Sequence, residues 1–323
     1  MNSYRTYTYE VFGQYLGREV RTNYPAPATE LFNYDADGNL TNDGRWSFVR
    51  DAENRLVRME PSGTVTPPAG SRRKLEFAYD YMGRRIWRRI TNLDTAAVLS
   101  ENKFVYDGWN LCAEIDALNP QPRTLIRSYV WGTDLSGSLQ GAGGVGGSVK
   151  LTYHGTQTTN AFVAYDGNGN VTALFDASNS ALLASYEYGP FGEVIRATGP
   201  MAKANPFRFS TKYQDEETDL VMYPKRPYSS SAGRWLSRDP IEEFGGLNIY
   251  ANCRNDCLNN FDPLGQDNMP YPFPHNTPAG RCPAVPKLQK EPKSDALSCC
   301  TPEKRKEGGR TRFAANSMPL VQV

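Results

Sequence analysis

The amino-acid sequence predicts an all-β protein assembled from antiparallel β-hairpins. The chain has 323 residues, among which 19 Tyr, 14 Phe and 5 Trp favour strands, whereas 28 Gly and 23 Pro favour turns. A short block that combines alternating aromatic residues with a turn also recurs along the chain. A chain of this length can hold two average domains, although an all-β array of this size can form a single unit.

The recurring block reads aromatic, any residue, Tyr, Asp, a turn, Gly or Asn, and then an aliphatic residue. Aromatics two residues apart lie on one face of a strand, and the turn that follows reverses the chain. The clear copies carry Tyr34-Asp35, Tyr79-Asp80, Tyr106-Asp107 and Tyr165-Asp166, and degenerate copies lie at 48–51 and 186–189. Their irregular spacing predicts a strand array with inserted loops rather than a solenoid, with each of these four Tyr in or beside a strand end.

These blocks resemble the tyrosine-aspartate repeats of the Rhs family, which includes bacterial polymorphic toxins, the C component of insecticidal toxin complexes and the teneurin shell. Residues 207–210, 233–241, 245–250 and 262–265 are similar to the Rhs-associated core of that family, and residues 129–147 resemble the segment upstream of it. The resemblance covers about residues 30–265. It implies a hairpin array that forms a curved, partial shell.

Three regions follow from these patterns. Residues 1–200 are expected to form the YD-repeat sheet, residues 201–265 the Rhs-associated core, and residues 266–323 a variable tail. The tail from residue 267 onward contains nine Pro and nine Lys or Arg against five acids, with few large aliphatic residues. A segment of this composition cannot build a core, so we predict that it is disordered in isolation.

Charge and hydropathy argue against two classes of partner. The net charge of +1 provides no global field that would recruit nucleic acid or an anionic membrane. The arginine-rich segment 84–89 is interpreted as a solvated strand face rather than a nucleic-acid patch. No stretch approaches the roughly 18 apolar residues of a membrane span, and residues 1–6 do not begin a signal peptide. The resemblance to the Rhs family implies a secreted or cell-surface protein, and without a signal peptide we expect export by a dedicated secretion system or as part of a longer protein.

Two glycine-rich segments resemble ligand-binding motifs. Residues 141–146 fit G-x-G-x-x-G, but an alternating strand pattern follows instead of a helix, which favours a flexible loop over a dinucleotide site. Residues 166–170 begin like a calcium loop, but Val171 and Ala177 stand where Gly and Glu are needed, so a hairpin turn is predicted.

The six cysteines indicate neither a metal site nor a disulfide framework. They include Cys253 and Cys257, form no CxxC pair, and are accompanied by only two His in the whole chain. The redox compartment therefore stays open. We expect no cofactor and no metal.

The candidate chemistry lies in two Asp-Pro pairs, Asp239-Pro240 and Asp262-Pro263. Two carboxylates brought within hydrogen-bond reach cannot both ionise easily, so one can act as an acid while the other acts as a base. The alternative is structural, because Asp commonly caps a turn and Pro fixes φ there.

In the Rhs family, self-cleavage just beyond the Asp-Pro-x-Gly segment releases the C-terminal polypeptide. The resemblance implies that Asp239 and Asp262 are catalytic, and that Arg238 orients a carboxylate. The implied cleavage region is Gly265, Gln266 and Asp267. The chain departs from the family pattern at Gln266, where Leu is usual, and at residues 255–257, which read Asn-Asp-Cys where Asn-x-Pro is common.

Three functional hypotheses remain open. The chain can be the terminal part of a shell that encapsulates a C-terminal polypeptide and releases it by self-cleavage, as an aspartate-type autoprotease in toxin delivery or intercellular competition. Its partners would then be its own tail and upstream shell or secretion-system components. Alternatively, it is a YD-repeat module that binds a cell surface or carbohydrate. The third hypothesis is a decayed fragment that does not process itself.

Overall fold

A computed structural model describes residues 32–63, 67–68, 70–118, 124–266 and 269–270. Within these ranges the chain forms twenty β-strands and three 3₁₀ turns. Residues 1–31 and, in the predicted tail, residues 267–268 and 271–323 lie outside the described residues, so the predicted disorder of the tail stays a prediction. In the described part of the chain, no helix is long and apolar enough to cross a membrane.

Fourteen of the described strands form one antiparallel sheet, here called the long sheet, in which each strand pairs with its neighbours in sequence. Its strands are β1 (Asn33–Tyr34), β2 (Leu40–Asn42), β3 (Trp46–Arg50), β4 (Leu56–Pro61), β5 (Arg73–Tyr79), β6 (Arg85–Asn92), β7 (Val98–Asp107), β8 (Asn110–Asp116), β9 (Thr124–Trp131), β10 (Ser148–His154), β11 (Thr158–Tyr165), β12 (Val171–Asp176), β13 (Leu182–Tyr188) and β14 (Val194–Thr198). The sheet is open, with β1 and β14 at its edges. This confirms the predicted hairpin array.

Two smaller antiparallel sheets follow among the described residues. The core sheet contains β15 (Tyr213–Gln214), β16 (Leu220–Met222), β17 (Pro227–Ser229) and β18 (Arg234–Trp235), and the third sheet contains β19 (Asn260–Phe261) and β20 (Met269–Pro270). The 3₁₀ turns span Phe209–Thr211, Glu242–Phe244 and Cys253–Asn255.

The Asp of the repeat builds the turn. The Asp80 carboxylate accepts hydrogen bonds from the amides of Met82 (2.9 Å) and Arg84 (3.0 Å), while Gly83 adopts a φ of 84°. Asp51 in a degenerate copy accepts the Arg55 amide at 3.0 Å in the same way. An Asp at this position therefore satisfies turn amides that the strand ladder leaves unpaired.

The Tyr of the repeat links one hairpin to the hairpin before it. The hydroxyl of Tyr79 donates to the carbonyl of Leu56 at 2.7 Å, and the hydroxyl of Tyr106 donates to the carbonyl of Arg85 at 3.1 Å. In both cases the acceptor lies five residues after the Asp of the preceding turn. Tyr34, Tyr79, Tyr106 and Tyr165 all lie at or beside strand ends, as predicted.

The segment 201–236 fills one side of the long sheet. Buried apolar residues of β2–β6 pack with Leu220 and Leu236, and those of β7–β13 pack with Phe207 and Tyr213. Met222 contacts both clusters, so the two halves of the long sheet curve around this segment. Each fully buried large apolar side chain contributes about 1.5–3 kcal/mol, so this contact stabilises the fold.

The interpretation of the arginine-rich segment 84–89 as a solvated face is wrong for two of its members. Arg85 and Arg88 are buried, and their guanidinium groups lie 2.5 Å and 2.7 Å from the carboxylate oxygens of Asp215. Asp215 immediately follows β15, so this cluster joins the long sheet to the core sheet. Arg88 shares the inward face of β6 with Ile90, and a register shift between Ala78 and Tyr79 in the pairing with β5 brings Arg85 to the same face.

Candidate functional site

The two Asp-Pro pairs meet on one arginine. Asp239 lies between β18 and the turn Glu242–Phe244, whereas Asp262 directly follows β19, and both are buried. Arg226, the residue before β17, donates to the Asp239 carboxylate, and its Nη2 lies 4.0 Å from Oδ2 of Asp262. The fold therefore brings two carboxylates, 23 residues apart in sequence, to one guanidinium.

Two backbone carbonyls and an aromatic ring hold the Arg226 side chain in position. Its Nε donates to the carbonyl of Gly265 at 2.6 Å, its Nη1 donates to the carbonyl of Ile249 at 2.9 Å, and its guanidinium lies 4.4 Å from the ring centre of Trp235. Burial lowers the pKa of Arg226, and the charges of Asp239 and Asp262 oppose that shift. The side chain thus ties the two carboxylates to the backbone of the predicted cleavage region.

Each carboxylate also caps a turn, as the structural alternative predicted. Oδ1 of Asp262 accepts the amides of Leu264 (3.2 Å), Gly265 (2.6 Å) and Gln266 (3.0 Å). Oδ1 of Asp239 accepts the amide of Ile241 at 3.0 Å. Since the Oδ2 atoms are the ones directed at Arg226, turn capping and a role in chemistry are compatible for both residues.

Gly245 is the place where Asp239 approaches the predicted cleavage region. A Cβ atom added at Gly245 would lie 2.6 Å from Oδ2 of Asp239 and 3.1 Å from the carbonyl oxygen of Gln266. Oδ2 of Asp239 and the carbonyl oxygen of Gln266 are therefore no farther apart than the sum of these two distances. Only glycine leaves room for this approach. Asp267 lies outside the described residues.

The structure places Arg238 elsewhere. Its side chain is exposed and its aliphatic carbons lie against Gly38 in the turn after β1. Arg226 is an arginine that the structure places against the Asp239 carboxylate. Sequence reasoning missed Arg226 because this residue belongs to neither Asp-Pro motif.

Lys212 is a second residue that sequence reasoning missed. It is buried, and its ammonium group donates to the carbonyl of Gly143 at 2.7 Å. Burial lowers the pKa of Lys212 to about 8, while the charges of Asp262 and Asp134 act in the opposite direction. A buried amine near Asp262 therefore adds positive charge to the same region.

The glycine-rich loop 141–147 packs beside this amine. It is wound around the Asp134 carboxylate, which accepts the amides of Ala142 (2.7 Å) and Gly144 (3.1 Å). Gly143 has a φ of 59°, and a Cβ atom there would lie 2.5 Å from the carbonyl oxygen of Pro263. The loop therefore supports the Asp262-Pro263 turn.

The hairpin interpretation of residues 166–170 is confirmed. The Asp166 carboxylate accepts the amides of Asn168 and Asn170, both at 2.9 Å, and closes the turn between β11 and β12. Among the described residues, no group of three His, Cys, Asp or Glu is arranged to hold a metal ion.

Comparisons with known proteins agree with the repeats. The family model described as Teneurin YD-shell matches residues 151–258. The tRNA3(Ser)-specific nuclease WapA of Bacillus spizizenii is 30% identical over 243 residues, which is 73% of this chain and 9% of WapA. Toxin protein Tse5 of Pseudomonas aeruginosa is 27% identical over 270 residues, 74% of this chain and 19% of Tse5. Salivary gland surface protein 1 of Aedes aegypti is 28% identical over 196 residues, 60% of this chain and 5% of that protein.

Solved structures share the fold. The crystal structure of TcdB2-TccC3 has a TM-score of 0.55 and 19% identity, and it covers 72% of this chain and 11% of the matched chain. A Tc holotoxin pore structure of Photorhabdus luminescens gives a TM-score of 0.55 and 18% identity over 73% of this chain and 11% of the matched chain. The chain spans about a tenth of the WapA relative and of these structures. The chain has Tyr-Asp hairpins and a core segment that packs against their sheet, and it is similar to these relatives. It therefore belongs to the Rhs family of YD-repeat shell proteins.

Proposed function

We propose that this chain is the terminal part of a YD-repeat shell that encloses a C-terminal polypeptide and releases it by cutting its own backbone after Gln266. One observation carries the proposal: the buried Asp239 carboxylate and the Gln266 carbonyl both face Gly245, next to the arginine that Asp239 shares with Asp262. Relatives that are named toxins, such as Tse5, support delivery to another cell as the purpose of release. Export would use a dedicated secretion system or a longer protein, with upstream shell components as partners.

In the proposed reaction, Asp239 transfers the proton, and Asp262 holds the backbone in position. Asp239 takes a proton from a water molecule whose oxygen attacks the carbonyl carbon of Gln266. When the bond from that carbon to the next amide nitrogen breaks, Asp239 returns the proton to the leaving amine. Asp262 and Arg226 position the reaction, because Asp262 binds the amides of residues 264–266 and Arg226 binds both Asp239 and the Gly265 carbonyl.

Asp239→Asn is expected to abolish cleavage while the fold is retained. Asn has the shape of Asp but cannot accept and return the proton, so the rate should fall by about 10²-fold to 10⁴-fold. Intact-mass spectrometry of the freshly folded full chain measures this as loss of the fragment that begins at residue 267. Arg238→Ala is the matched control, because its exposed side chain lies against Gly38, and it should cleave at close to the wild-type rate.

Two outcomes would contradict the proposal. A wild-type chain that stays full length after folding would make both aspartates turn residues only. An Asp239→Asn chain that cleaves as fast as the wild type would remove Asp239 from the chemistry. Slow cleavage by Arg238→Ala would instead return the orienting role to Arg238, as the resemblance implied.

A surface groove favours carbohydrate binding as the second candidate function. Phe162 on β11 and Phe175 on β12 lie directly opposite each other and are 49% and 37% exposed. The groove beside Phe162 is also lined by Lys150, Asn160 and Asp176. An aromatic ring beside hydrogen-bonding side chains suits the apolar face and the hydroxyl groups of a sugar.

Phe162→Ala is expected to weaken binding to an immobilised panel of cell-surface polysaccharides by about tenfold, which corresponds to about 1.4 kcal/mol. Surface plasmon resonance measures the change, and Leu182→Ala on the neighbouring β13 serves as the control. If the wild-type chain binds none of the panel, or if both variants bind alike, the groove is not a carbohydrate site.

A further inference from the structure

Two cysteines in the core region lie close together, because both sulfurs contact the side chain of Asn252. Cys253 begins the 3₁₀ turn Cys253–Asn255, Cys257 follows that turn by two residues, and each thiol shifts the pKa of the other. Asn252 contacts both sulfurs: its Oδ1 accepts from Sγ of Cys253 at 3.2 Å, and its Nδ2 lies 3.8 Å from Sγ of Cys257. The Asn252 side chain therefore holds both sulfur atoms in position.

The pair adjoins the candidate functional site. The turn that carries Cys253 packs against β19, which Asp262 directly follows, and the amide of Asn260 on β19 donates to the carbonyl of Asp256 at 3.0 Å. The charge of the Asp262 carboxylate contributes to raising the pKa of the Cys253 thiol. Cys253, Arg254 and Asn255 have φ values of 49°, 54° and 60°. Three consecutive non-glycine residues in the left-handed region are strained, so the surrounding contacts must hold this turn in place.

We propose that Cys253 and Cys257 are a redox couple that closes to a disulfide when the protein meets an oxidising environment. Cys257 is the residue that reacts first, because it is only half-buried whereas Cys253 is 3% exposed. The reaction partner is a low-molecular-weight disulfide. The inference concerns bond formation and holds whether or not the chain cleaves itself.

The exchange proceeds in two balanced steps. The Cys257 thiolate attacks one sulfur of the small disulfide, so that a mixed disulfide forms and one small thiol leaves. The Cys253 thiolate then attacks the Cys257 sulfur, so that the protein disulfide forms and the second small thiol leaves. Two protein thiols are oxidised, and one small disulfide is reduced to two thiols.

The electrostatics of the two thiols match this order. The neighbouring Cys253 thiol lowers the pKa of Cys257, which raises the population of the attacking thiolate. The neighbouring Cys257 and burial raise the pKa of Cys253 well above its ordinary value. Cys253 therefore stays a thiol until the mixed disulfide forms beside it.

A disulfide between Cys253 and Cys257 is expected to affect only the backbone near it. A disulfide between residues four apart closes a very short loop, so it removes little entropy from the unfolded chain. Its effect falls on residues 253–257 and, through the packing of this turn against β19, on the loop that carries Asp262. We expect slower amide exchange in residues 252–262 after oxidation and little change in the thermal midpoint.

The test uses the full chain with Cys112, Cys282, Cys299 and Cys300 replaced by Ser, so that only the pair remains. The reduced, folded protein is incubated with oxidised glutathione, quenched by alkylation and digested with trypsin. Trypsin cuts after Arg254, so the disulfide would appear as two linked peptides that separate on reduction. The same digest of the original chain checks that the four substitutions do not create the link.

Two single variants test the order of attack. In Cys253→Ser the mixed disulfide on Cys257 should accumulate, because its resolving thiol is missing, whereas in Cys257→Ser the buried Cys253 should be modified at least tenfold more slowly. The proposal is overturned if the folded pair stays alkylatable in excess oxidised glutathione while the denatured chain forms the link. It is also overturned if Cys253→Ser and Cys257→Ser form the mixed disulfide at equal rates.

Discussion

Replacing Arg226 by Met should lower the free energy of unfolding by about 3–5 kcal/mol, the usual result of removing one partner from a buried ion pair. Arg226 is 2% exposed, and the carboxylates of Asp239 and Asp262 that it serves are 5% and 1% exposed. Met replaces the aliphatic part of the arginine side chain but leaves both carboxylates without the charge of the guanidinium. Urea denaturation followed by tryptophan fluorescence measures the loss.

Two further variants make the result specific to charge and geometry. Arg226→Lys keeps the charge but cannot reach Asp239, Gly265 and Ile249 at once, so it should recover only part of the loss. Adding Asp239→Asn to Arg226→Met should cost less than the sum of the two single changes, because the neutral amide no longer needs the guanidinium. If Arg226→Met loses less than about 1 kcal/mol, other groups hold the two carboxylates and the account of the site is wrong.

The repeats made the fold predictable because their signal is local. Tyr79 and Asp80 specify the end of a strand and the turn that follows, and their hydrogen bonds reach only 2 to 23 residues along the chain. The same contacts explain why the degenerate copy at Asp51 still forms a turn although it lacks the Tyr. What the pattern could not show is which strand faces would be covered, since that depends on the segment 201–236.

The functional site was predictable only in part, because local motifs include some of its residues and not others. Asp239 and Asp262 were identified because each belongs to a short motif. Arg226 lies outside both motifs, and nothing in its neighbours separates it from the other 35 basic residues of the chain. Its assignment required the distance to Asp239, which only the folded chain provides.

The buried pair Arg85 and Arg88 shows the same limit at longer range. Their partner Asp215 lies 130 and 127 residues away, so the charges on β6 looked like a solvated strand face. Burial is compatible with these arginines because the Asp215 carboxylate pairs with both and because the aromatic rings of Phe104 and Tyr213 lie beside Arg85. The Arg85 guanidinium lies 4.9 Å and 4.8 Å from the centres of those two rings.

Asp215→Ala should therefore be the second change with a large effect, lowering the free energy of unfolding by about 3–5 kcal/mol. It leaves Arg85 and Arg88 buried without their shared carboxylate, at the joint between the long sheet and the core sheet. Glu217→Ala is the matched control, since Glu217 lies 3.5 Å from Arg88 but is 31% exposed at its side chain, and it should cost less than about 1 kcal/mol. Asp215→Asn keeps the shape and should fall between the two, which provides a measurable variant if Asp215→Ala does not fold.

The dependence on pH separates a lost charge from lost packing. Burial raises the pKa of Asp215, but the charges and hydrogen bonds of Arg85 and Arg88 outweigh burial and hold that pKa below its ordinary value of 3.8. The folded state then binds fewer protons than the unfolded state, so the contribution of Asp215 is fully present above about pH 4 and is lost as the pH falls through the folded pKa. The gap in unfolding free energy between the wild type and Asp215→Ala should be constant from pH 5 to 7 and should narrow below about pH 4. A gap that stays the same down to pH 2 would mean that Asp215 stabilises the joint by packing alone, and that the ion pairs with Arg85 and Arg88 contribute nothing net.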